Sequence, residues 1–191
     1  MVRLMRIGLL TAMASIFFGC ASTPNVFSQA DPTTDFGSYK TYGFFKELAT
    51  DNTDYESLIT SFLKVSVAQQ LDLRGLSYDP ENPDLLVNFY LYTEEKIRSH
   101  AVPTMNGYYG WRDPYYEPWP GYAYETRIVQ YTEGTLNIDI GDVAKHKLVW
   151  EGATVGRITD EVVRNLERSV DQAVADVFTQ FPLKPIDSPS T

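Results

Sequence analysis

The feature that most constrains this chain is its closing apolar stripe. Val163, Leu166, Val170, Ala173, Val177 and Phe181 recur every three or four residues, which predicts a one-sided helix over Asp160–Gln180. A helix apolar on one face must bury that face against another layer. Thr159 is placed to cap it, Asp160 and Glu161 meet the positive end of its dipole, and Pro182 stops it. A second stripe, Leu58, Phe62, Val65 with Ile59, Leu63, Val67, predicts a helix from about Tyr55 to Arg74, ended by Gly75.

The layer under these helices reads as a sheet. Tyr39–Phe45 is aromatic and β-prone. Leu85, Val87, Phe89 and Leu91 alternate with Leu86, Asn88, Tyr90 and Tyr92, giving a strand with an apolar and an amphipathic face. Glu125–Tyr131 and Thr135–Ile140 read as a hairpin around Glu133-Gly134, with Leu136, Ile138 and Ile140 on one side. Lys147–Val155 reads as a further strand with Leu148 and Trp150 on one face. The order is β-α-β-β-β-α. The expected fold is α+β: a single domain with a mainly antiparallel sheet of about four to five strands. Two helices pack on one face, and the other face is partly wet.

The amino terminus carries a different signal. Arg3 and Arg6 precede an uncharged run, Ile7–Phe18, too short to span a bilayer of about 30 Å. The run ends Phe17-Phe18-Gly19-Cys20-Ala21-Ser22, and Cys20 is the chain's one cysteine. This resembles the lipobox of bacterial lipoproteins, with Phe17 where leucine is usual. The resemblance implies cleavage before Cys20, a thioether-linked diacylglycerol on its sulfur and a fatty acyl chain, typically palmitate, on the freed amine. Ala21 resembles the signal for sorting to the outer membrane, periplasmic face, of a Gram-negative envelope. The other reading is an ordinary cleaved signal with an incidental cysteine. The expected organisation is a signal peptide at 1–19, a lipidated tether at 20–34, the domain at 35–182 and a flexible tail at 183–191.

The mature chain carries Phe36-x-x-Tyr39-x-Thr41-Tyr42, Pro83-Asp84-Leu85, Glu133-Gly134-Thr135-Leu136-x-Ile138-Asp139, Lys147-Leu148-Val149-Trp150-x-Gly152 and a closing Phe181-Pro182. Together, over roughly residues 31–182, these resemble the domain of unknown function 4136 family, largely bacterial lipoproteins. The resemblance implies no activity and no catalytic residue. Read from the residues, Gly134 suits a tight turn with φ > 0, and Trp150 a large core anchor.

Composition narrows the partners. The 191-residue chain has net charge −9 and 43% hydrophobic residues, enough for a core and unsuited as a whole to nucleic acid or to charge-driven adhesion to anionic lipid. The residues give no sign of a cofactor or metal. His100 and His146 read as surface histidines without partners at ligand spacing. Glu133, Asp139 and Asp142 lie close in sequence. A solvated acidic turn is the plain reading, and a paired-carboxylate glycosidase site the alternative.

One segment stands apart. Residues 103–124 hold eight aromatics, all Tyr or Trp, among four prolines and three glycines. Tyr108, Tyr109, Trp111, Tyr115, Tyr116, Trp119 and Tyr122 form a candidate binding loop, each pairing a flat apolar body with a polar edge. A recognition loop and an Ω-loop covering its own sheet are equally open readings. The expected role is a non-catalytic lipoprotein binding an envelope protein, membrane-bound through Cys20. The alternative is an envelope glycan binder or hydrolase.

Overall fold

A computed structural model describes residues 25–51, 56–104 and 123–186. β1 (Asn25–Ala30) leads through a 3-10 turn, Phe36–Ser38, to β2 (Thr41–Phe44). Helix α1 (Leu58–Asp72) and the two-residue β3 (Ser77–Tyr78) follow. Two long strands, β4 (Leu85–Thr104) and β5 (Ala123–Asp142), precede β6 (Lys147–Ile158). Two helices close the chain, α2 (Asp160–Arg164) and α3 (Leu166–Phe178).

The strands form one six-stranded sheet in the order β1-β6-β5-β4-β2-β3. It is mixed, which corrects the expected mainly antiparallel sheet of four to five strands. β2 runs parallel to both β3 and β4, because α1 carries the chain back over the sheet between them. The other pairs are antiparallel. The described helices number three rather than two, because the chain breaks at Asn165, φ −118° and ψ 45°. Thr159 caps α2 as expected, accepting from the Val162 N–H at 3.3 Å.

Both long helices lie on one face, and the core sits between them and the sheet. From α1 come Leu63, Val67 and Leu71, and from α3 Val170, Val174, Val177 and Phe178. The outer row of α1 is not buried: Leu58 and Val65 face solvent. The sheet contributes Tyr42, Leu85, Val87, Phe89, Leu136, Ile138, Ile140 and Trp150. Trp150 meets Phe181 edge-on at 5.0 Å and Phe178 at 5.5 Å.

Helix α1 ends in a Schellman arrangement. Leu76 N–H donates to the Leu71 carbonyl and Gly75 N–H to that of Asp72, with Gly75 at φ +82°. Arg74, just before it, is buried against the end of α3. Its guanidinium donates to the carbonyls of Phe178 and Leu183 at 2.9 Å and lies over the Phe178 ring.

Four local expectations need correction. Glu133-Gly134 is not a turn: β5 runs straight through it, and Gly134 faces Thr93 on one side and Gly156 on the other. Ile158 explains that glycine, since a Cβ there would lie 2.9 Å from its Cδ1. Leu148 does not share the Trp150 face. A β-bulge between Ile140 and Gly141 pairs Trp150 with Ile140 and Leu148 with Gly141, so Leu148 turns to the open face. Residues 25–30, expected in the tether, are β1 and close the edge of β6. Residues 183–186, expected in the tail, are held, with Ile186 N–H donating to the Leu73 carbonyl at 2.8 Å.

Candidate functional site

Among the described residues, no element covers the sheet face opposite the helices. Along β4 it presents Leu86, Asn88, Tyr90 and Tyr92, as the alternation predicts, and along β5 Thr135, Asn137 and Asp139. At the β2 end of this face lies a cavity of about 450 Å³. Phe45, Leu86, Tyr90 and Leu148 give it apolar walls, and Asn88, Asp139 and His146 supply polar groups. Asn88 donates from Nδ2 to the Tyr90 hydroxyl at 2.9 Å while its Oδ1 accepts from the Phe89 N–H. Those bonds fix both side chains against the strand.

Asp139 is half-buried between Asn88 and Glu151, its neighbours on β4 and β6. Burial, with the like charge of Glu151, raises its carboxyl above the ordinary range. Asp142 behaves oppositely. Burial would raise it, but the Tyr39 hydroxyl donates to it at 2.6 Å and Lys145 at 2.9 Å, and together they hold it down to about 2. Its oxygens are committed to shaping the turn. His146, in the same turn, adopts φ +51°. Lys147 pairs with Asp31 at 2.6 Å, which holds that carboxyl far below its usual value.

The three carboxylates grouped in the sequence are therefore separated by role. Asp139 and Asp142 both border the cavity. Glu133 lies further along β5, 3.9 Å from Lys96. Asp139 alone faces the cavity with a raised carboxyl, suited to accept from N–H and O–H groups of a ligand. Among the described residues no three His, Cys, Asp or Glu converge as metal ligands. No described helix is long and apolar enough to cross a membrane.

Cys20 lies outside the described residues, as do Tyr108, Tyr109, Trp111, Tyr115, Tyr116, Trp119 and Tyr122. The strands flanking that loop are described, and they pair to their ends at Thr104↔Ala123. His100 stands on this paired stretch opposite Arg127. Sequence reasoning missed the cavity because Phe45 and Leu148 reach it from other elements, Leu148 only through the bulge. It missed Arg74, whose carbonyl partners on Phe178 and Leu183 lie a hundred residues on; a lone Arg just past the helix end, four residues after Gln70, is its one local sign.

A family model, "Domain of unknown function (DUF4136)", matches residues 26–183. No curated protein matches the chain. Among solved structures, the chain is similar to a PDZ domain protein from Parabacteroides distasonis, with TM-score 0.55 and 14% identity. That match covers 84% of this chain and 36% of the other, so this chain spans about a third of that protein's length. PelC from Paraburkholderia phytofirmans, solved as a dodecamer, matches with TM-score 0.45 and 12% identity, covering 82% of this chain and 95% of PelC. At these identities the first likeness shows a shared fold.

Proposed function

The chain belongs to the DUF4136 family, and from that premise we propose that it is a non-catalytic binding module of the cell envelope. The observation that carries this reading is the open sheet face with its mixed cavity. Among the described residues one whole face carries no helical layer, while its residues form a patch of apolar walls around Asn88 and Asp139, with Asn88 and Tyr90 held together by a hydrogen bond. Small concave sites with few placed polar groups suit recognition of a ligand or of a partner's side chain. Committing Asp142 to Tyr39 and Lys145, and Glu133 to Lys96, argues for recognition over paired-carboxylate chemistry.

We place the protein at the periplasmic face of the outer membrane, anchored through lipid on Cys20. The run Ile7–Phe18 followed by Gly19-Cys20-Ala21 supports this. Two acyl chains or more give firm attachment, since each buried methylene contributes about 0.8 kcal/mol. The mass of the purified protein tests the anchor: Cys20→Ala should lack the lipid that wild type carries.

A photo-crosslinking residue at Tyr90 tests the binding face in cells. A discrete product that disappears with Leu86→Asp identifies the partner. Crosslinks no richer than those from an exposed control position at Glu81 would discard this face. The glycan reading is tested separately: retention on purified peptidoglycan that is lost with Trp111→Ala and Trp119→Ala would support it.

A further inference from the structure

β4 and β5 run on together past the rest of the sheet. β6 reaches only to Ile158, opposite Thr132, and β2 meets β4 only over Leu85–Val87. Pairing of β4 with β5 nevertheless continues to Thr104↔Ala123. Among the described residues, the sheet beyond Thr132 is therefore a ribbon of two strands. Residues 97–101 and 126–130 are exposed throughout. At ~3.4 Å per residue, Glu95–Thr104 projects about 30 Å.

β1 fixes which way the ribbon points relative to the amino terminus. It pairs antiparallel with β6, Asn25 opposite Val155, so the chain enters at the end of the sheet from which the ribbon leaves. Fully extended, the segment from Cys20 to Asn25 reaches at most about 18 Å. A lipid on Cys20 would hold this end close to the bilayer. The ribbon is longer than the tether, so it meets the membrane surface.

Its chemistry suits that meeting. One face carries Arg98 and Arg127, with Arg157 at its root. Arg98 and Arg157 lie over the ring of Tyr131, at 5.8 and 4.1 Å. Among the described residues none of these arginines is ion-paired, whereas Lys96 is held by Glu94 and Glu133. The net charge of −9 averages this cluster away. Ile97 and Ile128, 69% and 71% exposed, stand on the ribbon's other face.

Building on the lipid-anchor reading, we propose that this ribbon is a membrane-docking element, with Arg98, Arg127 and Arg157 on lipid headgroup phosphates. Each such cation strengthens adhesion to an anionic surface by about fivefold. An anchor alone leaves the domain free to swing. A second contact fixes its orientation.

The test uses the acylated full chain in vesicles of phosphatidylethanolamine and phosphatidylglycerol. With Cys20 acylated, an introduced cysteine is the one free thiol. A fluorophore is placed at Ser99→Cys on the ribbon, or at Glu81→Cys at the far end of the sheet. A headgroup-spin-labelled phospholipid should quench the first and not the second. Arg98→Gln with Arg127→Gln should lose most of that quenching at an unchanged circular dichroism spectrum. A Ser99 label as unquenched as the Glu81 label, on a chain whose mass carries the lipid, overturns the ribbon proposal and leaves the anchor standing. A mass without lipid overturns the anchor, and the ribbon proposal with it. Ser99 labels that quench one another on concentration, untouched by lipid, would give the ribbon to a second copy of the chain and overturn membrane docking.

Discussion

The indole of Trp150 fills the space beside Gly152, two residues along the same strand. A Cβ on Gly152 would collide with Cη2 and Cζ2 of that ring and with Cγ1 of Val177 behind it. Gly152→Ala should therefore cost about 1–3 kcal/mol, as overpacking of a tight core does. Urea unfolding measures it. Gly156→Ala is the control in the same strand, since a Cβ there meets nothing within 4 Å, and it should leave the midpoint nearly unchanged.

Gly75→Ala should lower stability by about 1–2 kcal/mol, the strain of a β-carbon in the left-handed region. The position is held at φ +82°, and the new methyl would also meet Ile186 Cδ1 at 2.7 Å. The same measurement on Gly75→Asn should show a smaller loss, because asparagine tolerates this conformation better.

Asp142 gives the protein an acid-sensitive joint. Its carboxyl is held down to about 2 in the folded chain, against 3.8 ordinarily. A depressed carboxyl contributes stability above the unfolded value and loses it as pH falls through the folded value. Stability should thus fall between about pH 4 and pH 2. Asp142→Asn should flatten that part of the profile and lower stability at pH 7 by about 1.5–3 kcal/mol, the worth of hydrogen bonds to a charged group. An unaltered acid limb would contradict the assignment.

Asp139 has the opposite sign. Its carboxyl is raised, chiefly by burial and then by Glu151, so ionisation opposes folding at neutral pH. Stability should rise as pH falls through the raised value, and the gain is complete below the unfolded one. Asp139→Asn should stabilise the protein at pH 7 and remove that rise. In Glu151→Gln the rise should shrink without disappearing.

Excising the ribbon should leave the domain folded. Residues 97–101 and 126–130 bury nothing, while Phe89, Leu136 and Trp150 lie below the cut. Joining Lys96 to Tyr131 through Asn-Gly keeps a pair that already faces itself across the strands. The thermal midpoint should match that of wild type, and Trp150 emission should stay blue-shifted.

What the sequence discloses here tracks the presence of a one-sided apolar pattern. Leu85, Val87 and Phe89, and Leu136, Ile138 and Ile140, point into the core as their alternation requires. Val170 and Val177 do the same at helical spacing. Where no face is buried, periodicity has nothing to report. Thr93-Glu94-Glu95-Lys96-Ile97-Arg98 is strand, wet on both sides, and carries no such mark. Gly134 and Leu148 mislead for other reasons. One answers to Ile158, and the other to a single extra residue that reverses the side a chain faces. The cavity is assembled from β4, β5, the turn after β5, the start of β6 and the residue just after β2, and such convergence is a property of the fold rather than of any local run.

The pairing of β1 with β6 has a consequence for how the chain acquires its structure. Asn25 is the first described residue, and its partner is Val155. As the chain is made amino end first, β1 stays without its partner until nearly all of the rest has followed. The β1 edge of the sheet is thus completed last. Such distant pairing slows folding, because loop-closure entropy is lost before the contact repays it. During that interval Phe27 and the bare edge of β1 stand open, the stretch of time in which an escort protein has most to protect.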